Sequence, residues 1–287
     1  MATGTAATGA VPKTIGLVGV GTIGSAVVRG LCSLGGPAPT KFVVSPRNAA
    51  KAAALAAEFP DLVRIAASNQ EVVDVSECVM IAVLPKQAED VLGDLKFREG
   101  QLVLSLIATL RLARVRELVA PATDCAVGVP LPAVARCKGA TLLMPPLPFA
   151  EAIFNSLGTC VAVEDEAHFK RLQSTTALMG DFYKRQLTAQ QWLESHGVGA
   201  SQAAAYVGAI FATMAADSAA PKPGTFAALV AEQTPGGVNE MVWKGQNEDG
   251  AYEALAHSLT SAHHRFVTGT IDPDLAPAAK RHKPAAA

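Results

Sequence analysis

The sequence predicts an α/β sheet domain followed by an all-helical one, and three observations carry that prediction. Up to residue 163, short β-rich runs alternate with helical stretches, the mark of right-handed βαβ units and a parallel sheet. After Glu164 only helical spacing remains. The length, 287 residues, suits two domains of roughly 100–200 residues each. The expected division is therefore 1–163, 164–270 and a Pro- and Ala-rich tail, 271–287, read as disordered.

The elements follow in order. Thr14 to Val18 is a strand, and a glycine turn leads from it into a helix that runs to about Leu34. Phe42 to Val44 is a second short strand, and the Ala-rich stretch from Asn48 to Glu58 is a helix. Val79 to Leu84 and Leu102 to Ile107 are continuous apolar runs, as central parallel strands show when both faces are covered. A helix from about Lys86 to Leu95 lies between them, and Cys160 to Val163 reads as the last strand. Phe169, Leu172, Leu178, Phe182 and Leu193 then fall near helical spacing, with Gly197 as the stop. Ala203, Val207, Ile210, Phe211 and Met214 mark a further helix ended by Pro221. Thr225 can cap a short helix carrying Phe226, Leu229 and Val230. Tyr252, Leu255, Leu259 and Phe266 mark a final helix closed by Gly269.

Composition excludes several classes. Half the chain is apolar, enough for a core and too much for wholesale disorder. The 24 basic and 25 acidic residues give a formal charge of −1, so no overall field favours nucleic acid or an anionic membrane. The longest apolar run, Cys78 to Leu84, is far below the ~20 residues that span a bilayer. Five scattered cysteines without a C-x-x-C or a histidine pair argue against zinc and suggest a reducing compartment, so a cytoplasmic location is expected. Met1 to Lys13 lacks an apolar core or transit-peptide arginines and reads as a short disordered lead. Lys280-Arg281-His282-Lys283 reads as part of a solvated tail.

Gly19-Val20-Gly21-Thr22-Ile23-Gly24 follows a strand and opens a helix. The first glycine permits a tight turn, the second lets the backbone approach a pyrophosphate, and the third lets helix and strand pack closely. The helix N-terminus presents free N–H groups and a partial positive charge to the phosphates. This is the fingerprint of a Rossmann-type dinucleotide-binding domain. Coenzyme choice is expected at the end of the second strand, where NAD enzymes place an acid for the ribose hydroxyls. Here the chain reads Val44-Ser45-Pro46-Arg47-Asn48, with no acid until Glu58. Serine and arginine suit a 2′-phosphate, so NADP(H) is expected over NAD(H).

A second motif, Thr234-Pro235-Gly236-Gly237-Val238-Asn239-Glu240, sits between two expected helices. Consecutive glycine N–H groups and a following helix N-terminus make a reasonable seat for a small carboxylate, or a plain helix–helix turn. With this landmark residues 14–268 resemble the pyrroline-5-carboxylate reductase family. Ile15 to Gly24 is similar to its first strand and glycine turn, and Ser45-Pro46-Arg47-Asn48 resembles its cofactor-phosphate loop. Asn69 matches its Asn beside the adenosine ribose, and Ala82-Val83-Leu84-Pro85 its Ala-Val-Lys-Pro strand end under the nicotinamide half. Gly139-Ala140-Thr141 and Pro235-Gly236-Gly237 follow in the family's order.

The departures lie elsewhere. The family's Met-Pro-Asn-Thr-Pro is here Gly128-Val129-Pro130-Leu131-Pro132, and its Ser-Gly-Ser-Gly-Pro-Ala-Tyr is Met179-Gly180-Asp181-Phe182-Tyr183-Lys184-Arg185. The lysine of Ala-Val-Lys-Pro is Leu84, and the threonine that ends Pro-Gly-Gly-x-Thr is Asn239. The resemblance implies hydride transfer from NADPH to a cyclic imine carboxylate, giving proline. It also implies that the Gly236, Gly237 and Val238 N–H groups with the Thr234 hydroxyl hold the substrate carboxylate while Asn239 approaches the ring nitrogen. Two other readings stand beside it: reduction of another small imine or carbonyl, and a cofactor-binding sensor or scaffold without turnover. The nearly all-apolar stretch from Tyr206 to Met214 needs a cover, and the family's interlocked helices imply a homodimer or higher oligomer.

Overall fold

Eight short strands form one sheet: β1 (Thr14–Val18), β2 (Lys41–Val44), β3 (Val63–Ile65), β4 (Cys78–Ile81), β5 (Leu102–Ser105), β6 (Cys125–Pro130), β7 (Gly139–Met144) and β8 (Gly158–Ala162). Their order in space is β3-β2-β1-β4-β5-β6-β7-β8. The computed structural model describes residues 9–35 and 40–271, so most of the expected lead and the tail beyond 271 lie outside the described residues. The described chain divides into two units after Leu172.

Helices cover both faces of the sheet in the first unit. On one side α1 (Thr22–Ser33), α2 (Ala49–Glu58) and α6 (Pro148–Ser156) bury Val27, Leu31, Leu55, Phe149 and Phe154 against the strands. On the other, α3 (Asn69–Val75), α4 (Ala88–Gly93) and α5 (Leu112–Leu118) bury Val72, Val73, Leu92 and Val115, with Phe169 of α7 (Glu166–Ser174). Every residue of β4 is buried, as a strand covered on both faces requires.

Within the sheet unit three sequence expectations need correction. The sheet is parallel except for β6 and β7, which pair antiparallel. The link 131–138 holds only a 3₁₀ turn, Pro132–Arg136, and a parallel crossover needs about a dozen residues or more. The apolar run Val79 to Leu84 is strand only to Ile81: Ala82 N–H still donates to Val18 O at 2.8 Å, and the chain then turns out, leaving Leu84 exposed. The expected helix from Lys86 is a 3₁₀ turn, Pro85–Gln87, followed by α4.

The second unit is helical: α8 (Leu178–Ser195), α9 (Ala200–Asp217), α10 (Thr225–Ala231), α11 (Val238–Glu248) and α12 (Ala251–Thr268). Thr225 is not the cap of α10. Gly224, at φ 89°, takes that place, and the Thr225 hydroxyl accepts the Lys222 N–H at 2.8 Å instead. Gly269, at φ 77°, closes α12 in the left-handed conformation that glycine adopts without penalty. Phe182 of α8 meets Phe211 of α9 edge to face at 5.7 Å. Among the described residues no helix is long and apolar enough to cross a membrane, and no group of three His, Cys, Asp or Glu could hold a metal.

Candidate functional site

The chain leaves β1 toward β2 on one side and returns to β4 on the other, so the C-terminal end of β1 is the point where strand order reverses. Open α/β sheets bind ligands at such a point, and the glycine turn stands there. Gly19 has φ 95°, and a Cβ on it would lie 2.8 Å from the Ala82 carbonyl carbon and oxygen. At Gly24 a Cβ would meet Leu17 Cδ1 at 2.8 Å, so this glycine lets α1 lie close to the sheet. Gly21 differs: its added Cβ would meet only Ala82 O, at 3.4 Å. Gly21 is also the N-cap of α1 and supplies no side-chain cap, which leaves the first N–H groups of the helix for a ligand. This bare cradle fits the pyrophosphate of a dinucleotide.

A cavity of about 460 Å³ opens beside the turn. Gly19, Gly21, Ser45, Arg47 and Asn48 line it, as do Ala82 and Val83 from the end of β4. Thr22, Ile23 and Gly24 lie in α1 behind the turn, and Pro85 opens the 3₁₀ turn. Asn69 is the first residue of α3, capped by Ser68, and is not among the residues that line the cavity. Lys51 and Gln87 line it without having been expected there. The signal for Lys51 was its spacing: it follows Arg47 by four residues, just inside α2.

The loop after β2 divides its work. Ser45 is 1% exposed, and its hydroxyl accepts the Gly19 N–H at 2.9 Å. It ties the glycine turn to the neighbouring strand. Asn48 caps α2 through Oδ1, which accepts the Lys51 N–H at 3.4 Å. Arg47 and Lys51 are exposed, and among the described residues neither has a carboxylate within ion-pairing distance. Two cations and no acid at this rim are charged suitably for a phosphate group.

In the helical unit the Pro-Gly-Gly segment is a tight turn between α10 and α11. Gly236 has φ 72°, and the Gly237 N–H donates to Thr234 O at 2.8 Å. A Cβ on Gly237 would sit 2.8 Å from that same oxygen. The Gly236 N–H donates to Glu240 Oε2 at 2.7 Å, and Glu240 Oε1 pairs with Lys244 at 2.7 Å. The Lys244 ammonium and then the Gly236 N–H hold the Glu240 carboxyl below the usual carboxylate range. Asn239, the second residue of α11, donates Nδ2 to Gln233 Oε1 at 3.0 Å, and Gln233 Nε2 donates to Leu229 O at 2.8 Å. Among the described residues the Thr234 hydroxyl and the Val238 N–H make no hydrogen bond. This glutamate was named in the sequence motif but given no role there, although a Glu three residues past an N-cap is a familiar capping signal.

The family model for NADP oxidoreductase, coenzyme F420-dependent, matches residues 14–109. The chain is 29% identical over 161 residues to the pyrroline-5-carboxylate reductase of Synechocystis sp., covering 53% of this chain and 58% of that protein. It is similar in fold to a pyrroline-5-carboxylate reductase from Coxiella burnetii, with TM-score 0.78 at 19% identity over 90% of this chain and 98% of the other. An imine reductase from Aspergillus terreus gives TM-score 0.55 at 18% identity, over 93% of this chain and 99% of the other. In sequence over about half its length, and in fold over most of it, the chain is similar to pyrroline-5-carboxylate reductases.

Proposed function

We propose that the protein is an NADPH-dependent reductase acting on the C=N bond of a small cyclic imine. The observation that carries this reading is the cavity at the strand-order reversal, with a bare glycine cradle and the unpaired cations Arg47 and Lys51 on its rim. Dihydronicotinamide, when bound, would supply hydride to the carbon of the protonated C=N bond, whose π pair becomes the lone pair of a neutral amine. The protein's own part is orientation and electrostatics. Gly19 and Gly21 bring backbone close to the pyrophosphate, Arg47 and Lys51 read the 2′-phosphate, and Ala82 and Val83 form an apolar wall under the nicotinamide. Ser45 contributes by holding the turn in shape.

The family resemblance makes pyrroline-5-carboxylate the reference substrate and proline its product, with Thr234 and the Gly236 to Asn239 segment on the substrate side. A second reading, another small imine, is favoured by Asn239 and by the internal use of the Gly236 N–H. We also propose that the working form is a dimer made through the helical unit, because α9 leaves Tyr206, Ile210 and Met214 exposed and buries only Ala203 and Val207. Five free cysteines suit the cytosol as its compartment. Steady-state NADPH oxidation with a panel of cyclic imines tests the reading. Tight NADPH binding with no turnover on any of them would turn the protein into a sensor or scaffold.

A further inference from the structure

We infer that Glu240 sets the substrate class, and that the imine this protein reduces carries no carboxylate and is taken up as the iminium cation. The inference rests on the reductase reading above. A substrate carboxylate at the Pro-Gly-Gly turn would need the Gly236, Gly237 and Val238 N–H groups. The Gly236 N–H is held by Glu240 at 2.7 Å and the Gly237 N–H by Thr234 O at 2.8 Å, which leaves only the Val238 N–H and the Thr234 hydroxyl. An incoming carboxylate would also have to displace, or sit beside, a carboxylate already there. Glu240 is held in place from two sides, by the turn and by Lys244. Like charges so placed discriminate against an anionic ligand.

The neighbouring side chain has the same polarity. Gln233 gives its Nε2 to Leu229 O, so its Oε1 faces Asn239 and must receive the Asn239 Nδ2. The Asn239 Oδ1 is then the free end of the amide, an acceptor. The side chains on the first turn of α11 therefore present acceptors beside the one remaining donor, the Val238 N–H, where a carboxylate requires several donors. An iminium N–H suits an acceptor, whereas a neutral imine nitrogen suits a donor. The chemistry closes without a proton donor: the iminium carbon takes hydride, the C=N pair becomes the nitrogen lone pair, and a neutral amine leaves.

The test compares 1-pyrroline with pyrroline-5-carboxylate, the same ring with and without its carboxylate, on the full chain with NADPH. The expected kcat/KM for 1-pyrroline exceeds that for the carboxylate by about 10-fold or more, one hydrogen bond's worth of discrimination. Glu240→Gln keeps the side chain's length and removes its charge, and should narrow that ratio by raising the rate on the carboxylate. A wild-type preference for pyrroline-5-carboxylate, or a ratio unchanged in Glu240→Gln, overturns the inference. Calorimetric titration of pyrrolidine and proline into the protein with NADP⁺ gives a readout independent of turnover. Pyrrolidine should bind and proline should not; tighter proline binding also overturns it. If neither imine is reduced, the reductase reading falls, and the titration alone still decides the charge preference.

Discussion

The two units treat apolar surface differently. In the first, large side chains such as Phe42, Phe149, Phe154 and Phe169 are under 2% exposed, and two clusters seal both faces of the sheet. In the second, Trp192, Tyr206, Met214 and Phe226 are each more than half exposed, and α8, α10, α11 and α12 have no buried residue. A helix hydrophobic on more than one face is stable only when something covers it. The contrast teaches that the sheet unit holds a complete core and the helical unit holds part of one. Its remainder belongs to a second copy under the dimer proposal.

The proposal that a second copy supplies the missing cover gives the largest expected effect. Light scattering at micromolar concentration should return twice the chain mass, and Ile210→Asp, which puts a charge on the exposed face of α9, should return the single mass. A monomeric wild type would end the dimer proposal. Next comes the completeness of the sheet unit's packing. A Cβ at Gly30 would lie 2.2 Å from the Val134 carbonyl oxygen and 2.6 Å from Leu157 Cδ2, so Gly30→Ala should cost about 3 kcal/mol in chemical denaturation despite the better helix propensity of alanine. An unchanged midpoint would mean that this core yields more readily than the contrast implies.

Arg47→Glu sharpens the comparison at the cavity, where binding depends on the sheet unit. NADPH affinity should fall by about 10- to 150-fold, the value of a charge-assisted pair, and NADH affinity should hardly change. Equal losses would show that Arg47 does not read the 2′-phosphate. Asn239→Ala probes the helical unit: kcat/KM should fall by about 10-fold with NADPH affinity intact. The variant also breaks the link to Gln233, so the melting temperature must be measured alongside. A drop in melting temperature with unchanged kinetics would leave Asn239 a structural residue. The smallest effect is at the thiols. Burial pushes Cys32 up to about 12 and Cys125 up to about 11, so neither should be alkylated by iodoacetamide at pH 8 in the native protein. Rapid labelling at either would reveal opening of the sheet unit.

The legibility of the two units follows the same divide. The glycine turn could be read because strand, three glycines and helix form one local pattern, demanded by the Ala82 backbone beside Gly19 and by the Leu17 side chain beside Gly24. The strands β3, β6 and β7 were missed: β3 is three residues long, β6 contains Gly and Pro, and β7 opens on Gly, all of which weaken a strand signal. Their pairing depends on the length of the 131–138 link, a property of spacing and not of composition. Ser45 was expected on the phosphate; it lines that cavity and also accepts the Gly19 N–H, a tie that only the sheet register, which brings position 45 beside position 19, could reveal. Around Pro-Gly-Gly the likeness to a family concealed a local fact. Glu240 lies one residue beyond the place of the family's closing threonine, and its reach back to Gly236 is a matter of side-chain geometry on the first turn of a helix.

The hydrogen bond from Gly19 to Ser45 has a practical consequence for anyone re-engineering coenzyme usage. Shape and charge are held by different residues of one short loop, so they can be altered independently. Introducing an acid at position 47 and neutralising 51 redirects the electrostatics while the turn keeps its lock. Replacing the serine with a longer acidic side chain, the obvious route by analogy with NAD enzymes, would break the lock itself, and the redesign would fail in both coenzymes at once.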